Sequence, residues 1–134
     1  MRGPRARTVA RWGAVTCVAI GGLVALGWVL GVVELVSVVP GYPPLHMNAA
    51  VALLAAGAGL YGIAEAKRGW LLGGALVALA IGGLTLIEYM AGVELRIDRL
   101  LLSDPSRFEI RPEYSGRMAA STALALILVG AAYQ

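Results

Sequence analysis

The sequence predicts an all-α integral membrane protein, a bundle of about four transmembrane helices, on two observations. Hydrophobic residues make up 59% of the 134-residue chain and charged residues only 14%, where ordinary soluble domains carry roughly 25% charged residues; the mean hydropathy is +0.78. The apolar residues also fall in runs close to the roughly 20 residues that a helix needs to cross hydrocarbon. Residues 1–11 form a basic, cytoplasmic N-terminal segment, and residues 12–134 a transmembrane domain with spans at about 12–33, 47–64, 70–91 and 118–134.

Arg2, Arg5, Arg7 and Arg11, with no acid among them, lead directly into the first apolar run, Trp12 to Val33. A cleaved signal peptide also opens on basic residues, but its apolar core is only about 7–15 residues. This run continues to Val39 with Glu34 and Ser37 as interruptions, which favours a retained signal-anchor. Pro40, Gly41, Pro43 and Pro44 then force a turn. The second run, Met47 to Ala64, stops at Glu65, Lys67 and Arg68, and Trp70 opens the third, which reaches Ala91 with Glu88 as its one ionisable group. Trp12, Trp28, Trp70, Tyr89 and Tyr133 stand near the ends of the runs, where an amphipathic ring suits the headgroup region.

Residues 92–117 form the one sizeable hydrophilic segment, in which Arg96, Arg99, Arg107, Arg111 and Arg117 are matched by Glu94, Asp98, Asp104, Glu109 and Glu113. Val93, Ile97, Leu100 and Leu101 recur there at helical spacing, as in a short amphipathic helix lying at the interface. The last run, Met118 to Tyr133, is about 16 residues or roughly 24 Å long, and it reads as cut short. The positive-inside rule places the N-terminus in the cytoplasm of a bacterial inner membrane, because the first segment is basic, the first loop has no Lys or Arg, and the second has Lys67 and Arg68. The five arginines of the third loop run against that assignment.

Two tandem hairpins are visible in the order of motifs. Gly31-Val32-Val33-Glu34-Leu35 closes the first span and Gly92-Val93-Glu94-Leu95 follows the third. The re-entry Asn48-Ala49-Ala50-Val51-Ala52-Leu53-Leu54 corresponds to Ser121-Thr122-Ala123-Leu124-Ala125-Leu126-Ile127. Both hairpins start from the same side, as in a parallel repeat about an axis along the membrane normal.

At these residues the chain resembles the membrane-embedded sensor regions at the N-termini of bacterial PAS-containing histidine kinases and diguanylate cyclases. The resemblance covers roughly Trp28 to Gln134. It rests on Val39-Pro40-Gly41 before Asn48-Ala49-Ala50, on Leu86-Ile87-Glu88-Tyr89-Met90-Ala91-Gly92-Val93, on Ile97-Asp98-Arg99-Leu100-Leu101, and on Gly116-Arg117-Met118 leading into Ser121-Thr122-Ala123. Ser121 stands where that pattern often has Asn, and His46-Met47 where it often has proline. The resemblance implies a non-catalytic sensory input region, any kinase or cyclase activity residing in a downstream cytoplasmic domain. The chain ends at Gln134, so the expectation is either an input fragment of a longer protein or a stand-alone unit acting through another chain.

Several chemistries lack their required groups. No G-x-x-x-x-G-K-[ST], H-E-x-x-H or G-x-S-x-G motif and no Cys/His cluster is present, so no enzyme, metal or cofactor is expected. Cys17 has no second cysteine to pair with, and His46 is the single histidine. The net charge of +3 does not point to nucleic acid, since the basic residues mark the ends of apolar runs. Glu34 and Glu65 read as interfacial acids. Glu88, inside the apolar frame, is the candidate signalling carboxylate, with Arg96, Arg99 and Arg117 as candidate partners. Gly27 with Gly31 and Gly69 with Gly73 form G-x-x-x-G pairs suited to close helix packing, within one bundle or across a homodimer. The competing functions are a small four-span transporter-like protein, which would require an acid near the middle of the first span, and a structural membrane subunit.

Overall fold

The computed structural model describes residues 3–37, 45–92 and 120–133, and every described element is helical. Helix α1 runs Pro4–Leu30, α2 is a single turn at Val33–Val36, α3 runs Met47–Glu65, α4 Arg68–Ala91 and α5 Ala120–Ala132. Three of these, α1, α3 and α4, are long and apolar enough to cross a membrane; the expected fourth span is present as the short apolar helix α5. At 1.5 Å per residue the three long helices extend about 40, 29 and 36 Å, and α5 about 20 Å. The basic segment expected ahead of the first span is itself helical from Pro4, which sits at the first position where a missing N–H costs nothing.

Each long helix is ended by a residue in the left-handed region. Gly31 (φ 73°) closes α1 and Gly92 (φ 63°) closes α4, a conformation in which glycine alone escapes a Cβ clash. Ala66 (φ 55°) closes α3, with the Lys67 N–H on the Gly62 carbonyl at 2.9 Å. That cap turns the chain sharply into α4.

The packing is the reverse of a soluble protein's. Large aliphatic side chains such as Val15, Leu26, Leu76, Ile87 and Leu128 point outward, while the interior is built of Ala10, Ala14, Ala50, Ala52, Ala75, Ala78 and Ala123. In lipid there is no hydrophobic force between helices, and association relies on dispersion contacts at short range, which small residues permit. Helix α3 is the centre of the bundle: α1 and α4 pack along it, and α5 lies against α4 and touches α3.

The two-hairpin expectation has a geometric counterpart. In the α1–α3 pair, a Cβ on Gly21 would lie 2.8 Å from the Ala50 carbonyl oxygen and 3.1 Å from Leu53 and Leu54; in the α4–α5 pair, a Cβ on Gly82 would lie 2.7 Å from the Ala123 carbonyl oxygen and 3.1 Å from Leu126 and Ile127. The reverse contacts correspond as well. Gly57 backs Ala14 and Val18, and Gly130 backs Ala75 and Leu79. Aligning the hairpins by these contacts brings out a sequence match stronger than the G-V-E-L motif: Gly13-Ala14, Ala19-Ile20-Gly21-Gly22-Leu23 and Gly31 recur as Gly74-Ala75, Ala80-Ile81-Gly82-Gly83-Leu84 and Gly92. Helices α3 and α5 are parallel, Ala49 and Ala52 clustering with Ala123 and Leu126 near one end and Gly59 meeting Tyr133 towards the other.

The hairpins are joined through α3 and α4. A Cβ at Gly74 would collide with the Ala55 carbonyl and lie 2.6 Å from the Gly59 nitrogen, all backbone that cannot swing aside. Gly74→Ala is therefore expected to destabilise the bundle by about 1–3 kcal/mol. Gly73→Ala, which meets no described atom within 4 Å, should leave stability within about 0.5 kcal/mol or raise it slightly through helix propensity. Thermal unfolding in detergent followed by circular dichroism checks the pair, and equal melting temperatures would refute the joint.

Candidate functional site

The bundle has two chemically different ends. At the basic end, where α1 begins and α3 ends, Arg11 and Glu65 form an ion pair at 2.7 Å. At the opposite end lie three polar side chains that are almost wholly buried: Asn48 (1% exposed), Thr85 (2%) and Glu88 (3%). Burying such groups in an apolar surround is costly, and within a bilayer it commonly marks function.

Asn48 has a local task. It sits in the first turn of α3, whose leading N–H groups have no intrahelical acceptor, and its Oδ1 accepts the Ala49 N–H at 2.8 Å. Thr85 and Glu88 make up the rest of this group. They lie one turn apart on the buried face of α4. Ile81, a turn before Thr85, packs against the Ala49–Ala52–Ala123–Leu126 cluster, so Thr85 comes level with the start of α3 and Glu88 lies a turn further out. From Glu88 to the helix end at Ala91 is about 5 Å along the axis.

The first hairpin shows what this position needs for packing alone. The α1 residues equivalent to Thr85 and Glu88 are Val24 and Gly27. Val24 is fully buried among Trp28, Val36 and Ala50, and Gly27 backs directly onto Leu35 and Val36 of α2. A hydrocarbon and a bare backbone thus complete the first hairpin. The second places a hydroxyl and a carboxyl at the same two sites.

The first hairpin fastens its corresponding end differently. Trp28 Nε1 donates to the Leu45 carbonyl oxygen at 2.8 Å, and the Leu45 N–H donates to the Val36 carbonyl at 3.0 Å, tying α1 and α2 to the residue that leads into α3. A third tie joins α5 to α3, where the buried Tyr133 hydroxyl donates to the Ala56 carbonyl oxygen at 2.8 Å.

The other residues singled out in the sequence are distributed as follows. Gly27 backs onto Leu35 and Val36 of α2, and Gly31 is the left-handed cap of α1. Gly69 and Gly73 meet no described atom within 4 Å and lie on the outside of α4. Glu65 pairs with Arg11, and Glu34 is exposed. Arg96, Arg99 and Arg117, the partners expected for Glu88, lie outside the described residues, as does the expected amphipathic helix. Among the described residues, no three His, Cys, Asp or Glu side chains gather as metal ligands would.

Sequence reasoning identified Glu88 but passed over Thr85 and Asn48. The available signal was the alignment of Thr85 and Glu88 with Val24 and Gly27, which shows polar residues entering one copy of a repeat whose other copy is apolar. No protein-family model, curated protein or solved structure matches the chain, so the site is read from its own geometry.

Two measurements address this end of the molecule. Trp28→Phe keeps the ring and removes the donor to Leu45; a loss of about 1–2 kcal/mol is expected in detergent unfolding, and no loss would show that the bond does not fasten the hairpin. His46, just ahead of α3, has its imidazole pushed below the ordinary value near 6.5 by burial. Above that value both folded and unfolded chains are neutral there and stability is unaffected; below it the unfolded chain takes the proton first, so stability falls with pH. Between about pH 7.5 and pH 5.5 the melting temperature of the wild type should drop more than that of His46→Gln, and parallel curves would refute the contribution.

Proposed function

We propose that the chain is the membrane-embedded sensory input region of a bacterial signal-transduction protein, with Thr85 and Glu88 as the place where a stimulus biases the packing. The carrying observation is the asymmetry between the hairpins: one packing scheme is used twice, and buried polar groups occupy one copy. A carboxylate placed so close to the end of α4 is near enough to the interface to respond to what reaches that surface, and it is held among helices whose relative position would transmit the response. The resemblance to the membrane regions of PAS-containing kinases and cyclases points the same way. In this reading the basic end is cytoplasmic, by the positive-inside rule, and the chain has no catalytic role of its own.

A buried carboxylate is also what a proton-coupled transporter would use. Its position argues for the sensor reading, because Glu88 lies a turn from the end of the third long helix and the corresponding site in α1 is Gly27.

The test has two parts. The gene is read beyond the codon for Gln134, and native membranes are searched for a signalling protein that co-purifies with the chain. The output of any such module is then measured with the wild type and with Glu88→Gln at equal membrane levels. An attached or co-purifying kinase or cyclase module, and a change in basal output of about threefold or more, are expected. A stop codon with no signalling partner, or an output indifferent to Glu88→Gln, overturns the proposal.

A further inference from the structure

The basic end carries a second site, independent of the sensory reading. Arg5, Arg7 and Arg11 on α1 lie at the same end of the bundle as Lys67 and Arg68, because α1 and α3 are antiparallel and Arg11 reaches Glu65 at the end of α3. Among the described residues Glu65 is the one acid at this end, and its carboxylate is taken by Arg11, 2.7 Å away. The charge of Lys67 and Arg68 is therefore left without a described acidic partner beside the apolar surface.

These two cations are not simply dangling in water. Tyr61 and Trp70 pack edge to face, with ring centroids 5.8 Å apart and planes at 83°. The Lys67 ammonium lies 5.4 Å from the centroid of Tyr61, and its Nζ donates to the Tyr61 hydroxyl at 3.5 Å. Both rings are exposed on the outer surface. Aromatic rings of this kind settle at headgroup depth, and here Tyr61 holds an ammonium, next in sequence to the guanidinium that opens α4. Below Trp70 on the same side of the helix, Gly73 presents no side chain and meets no described atom within 4 Å, so the helix surface beside the ring is open.

We propose that Lys67, Arg68, Tyr61 and Trp70 form a seat for the phosphodiester headgroup of an anionic phospholipid such as phosphatidylglycerol. The phosphate is held by the two cations, the rings flank the glycerol region, and an acyl chain descends along α4 past Gly73. Charge complementarity names the occupant: a zwitterionic lipid brings its own cation to a position already carrying two. Basic sites beside helix ends are known to select anionic headgroups, at a gain that accumulates with each Lys or Arg.

The intact chain, purified in a neutral detergent, is titrated with phosphatidylglycerol and separately with phosphatidylcholine, and retained lipid is measured by native mass spectrometry. The wild type should retain phosphatidylglycerol in preference to phosphatidylcholine. The double variant Lys67→Gln, Arg68→Gln should weaken that retention by about tenfold, whereas Arg5→Gln, Arg7→Gln, which removes the same charge from the start of α1, should weaken it by less than about twofold. Lys67→Arg, which keeps the charge and the fold of the turn, should retain the lipid and guards against loss through misfolding. Equal retention of the two lipids, or equal losses in the two double variants, overturns the seat; the latter would mean a diffuse field rather than a site. Neither result bears on Glu88, so this proposal and the sensory one stand or fall separately.

Discussion

Contact between helix backbones at glycine and alanine is the constraint on which the molecule depends. At Gly21, Gly57, Gly74, Gly82 and Gly130 a single added carbon would meet the carbonyl oxygen of a neighbouring helix. Such distances are useful only because the outer surface is given over to large aliphatic side chains, which find lipid as agreeable as another helix. Burial of hydrocarbon cannot distinguish one arrangement of these helices from another, so the choice falls to how closely they fit. Alanine and glycine at the contacts make one fit much closer than its rivals, and the polar ties, Trp28 to Leu45 and Tyr133 to Ala56, lock ends and levels that dispersion alone would leave free to slide.

The same constraint explains why the two hairpins keep their glycines and differ elsewhere. Gly21 and Gly82, or Gly57 and Gly130, hold corresponding places because a side chain at any of them would push two helices apart. Val24 and Thr85 are nearly the same size, so a hydroxyl enters the second hairpin with little change of shape. Gly27 and Glu88 are not. The first position is closed by α2 lying directly on the backbone, and a glutamate cannot sit beneath a turn placed in that way. In the sequence, the long polar segment that follows Gly92 stands where a shorter connection follows Gly31.

How far the fold was legible in the sequence follows from which properties are local. The three long helices were readable because hydropathy and length accumulate along the chain, and their ends were marked by Gly31, Gly92 and the Glu65–Arg68 group. The helix start at Pro4 was less visible, since an arginine-rich stretch reads as an anchor whether or not it is helical. The repeat was readable at its connections, yet its strongest part, Ala-Ile-Gly-Gly-Leu in both α1 and α4, is hidden by a composition in which such letters are common. The packing glycines were not readable. Gly73 and Gly74 are neighbours in sequence, but one faces outward and the other meets the backbone of α3; spacing alone does not single out Gly74, because the answer depends on the partner's register. For the site, Glu88 was conspicuous as a lone acid in an apolar run, whereas Thr85 and Asn48 are ordinary in sequence and become unusual only through burial.

The correspondence between the two hairpins also bears on where charge accumulates. When a hairpin is repeated in the same sense, the first helix of each copy starts at the same end, and a basic residue ahead of one apolar run acquires a counterpart ahead of the other. Arg7 and Arg68 hold such equivalent places, each a short distance before the Gly-Ala step that opens the packed part of its helix. An inverted repeat would set these charges on opposite sides and leave each weak. Here Arg7 and Arg68 lie at the same end of the bundle, whereas the buried Thr85 and Glu88 belong to the second hairpin alone. Corresponding charge thus lies at one end of the bundle, and the polar pair without a counterpart, Thr85 and Glu88, at the other.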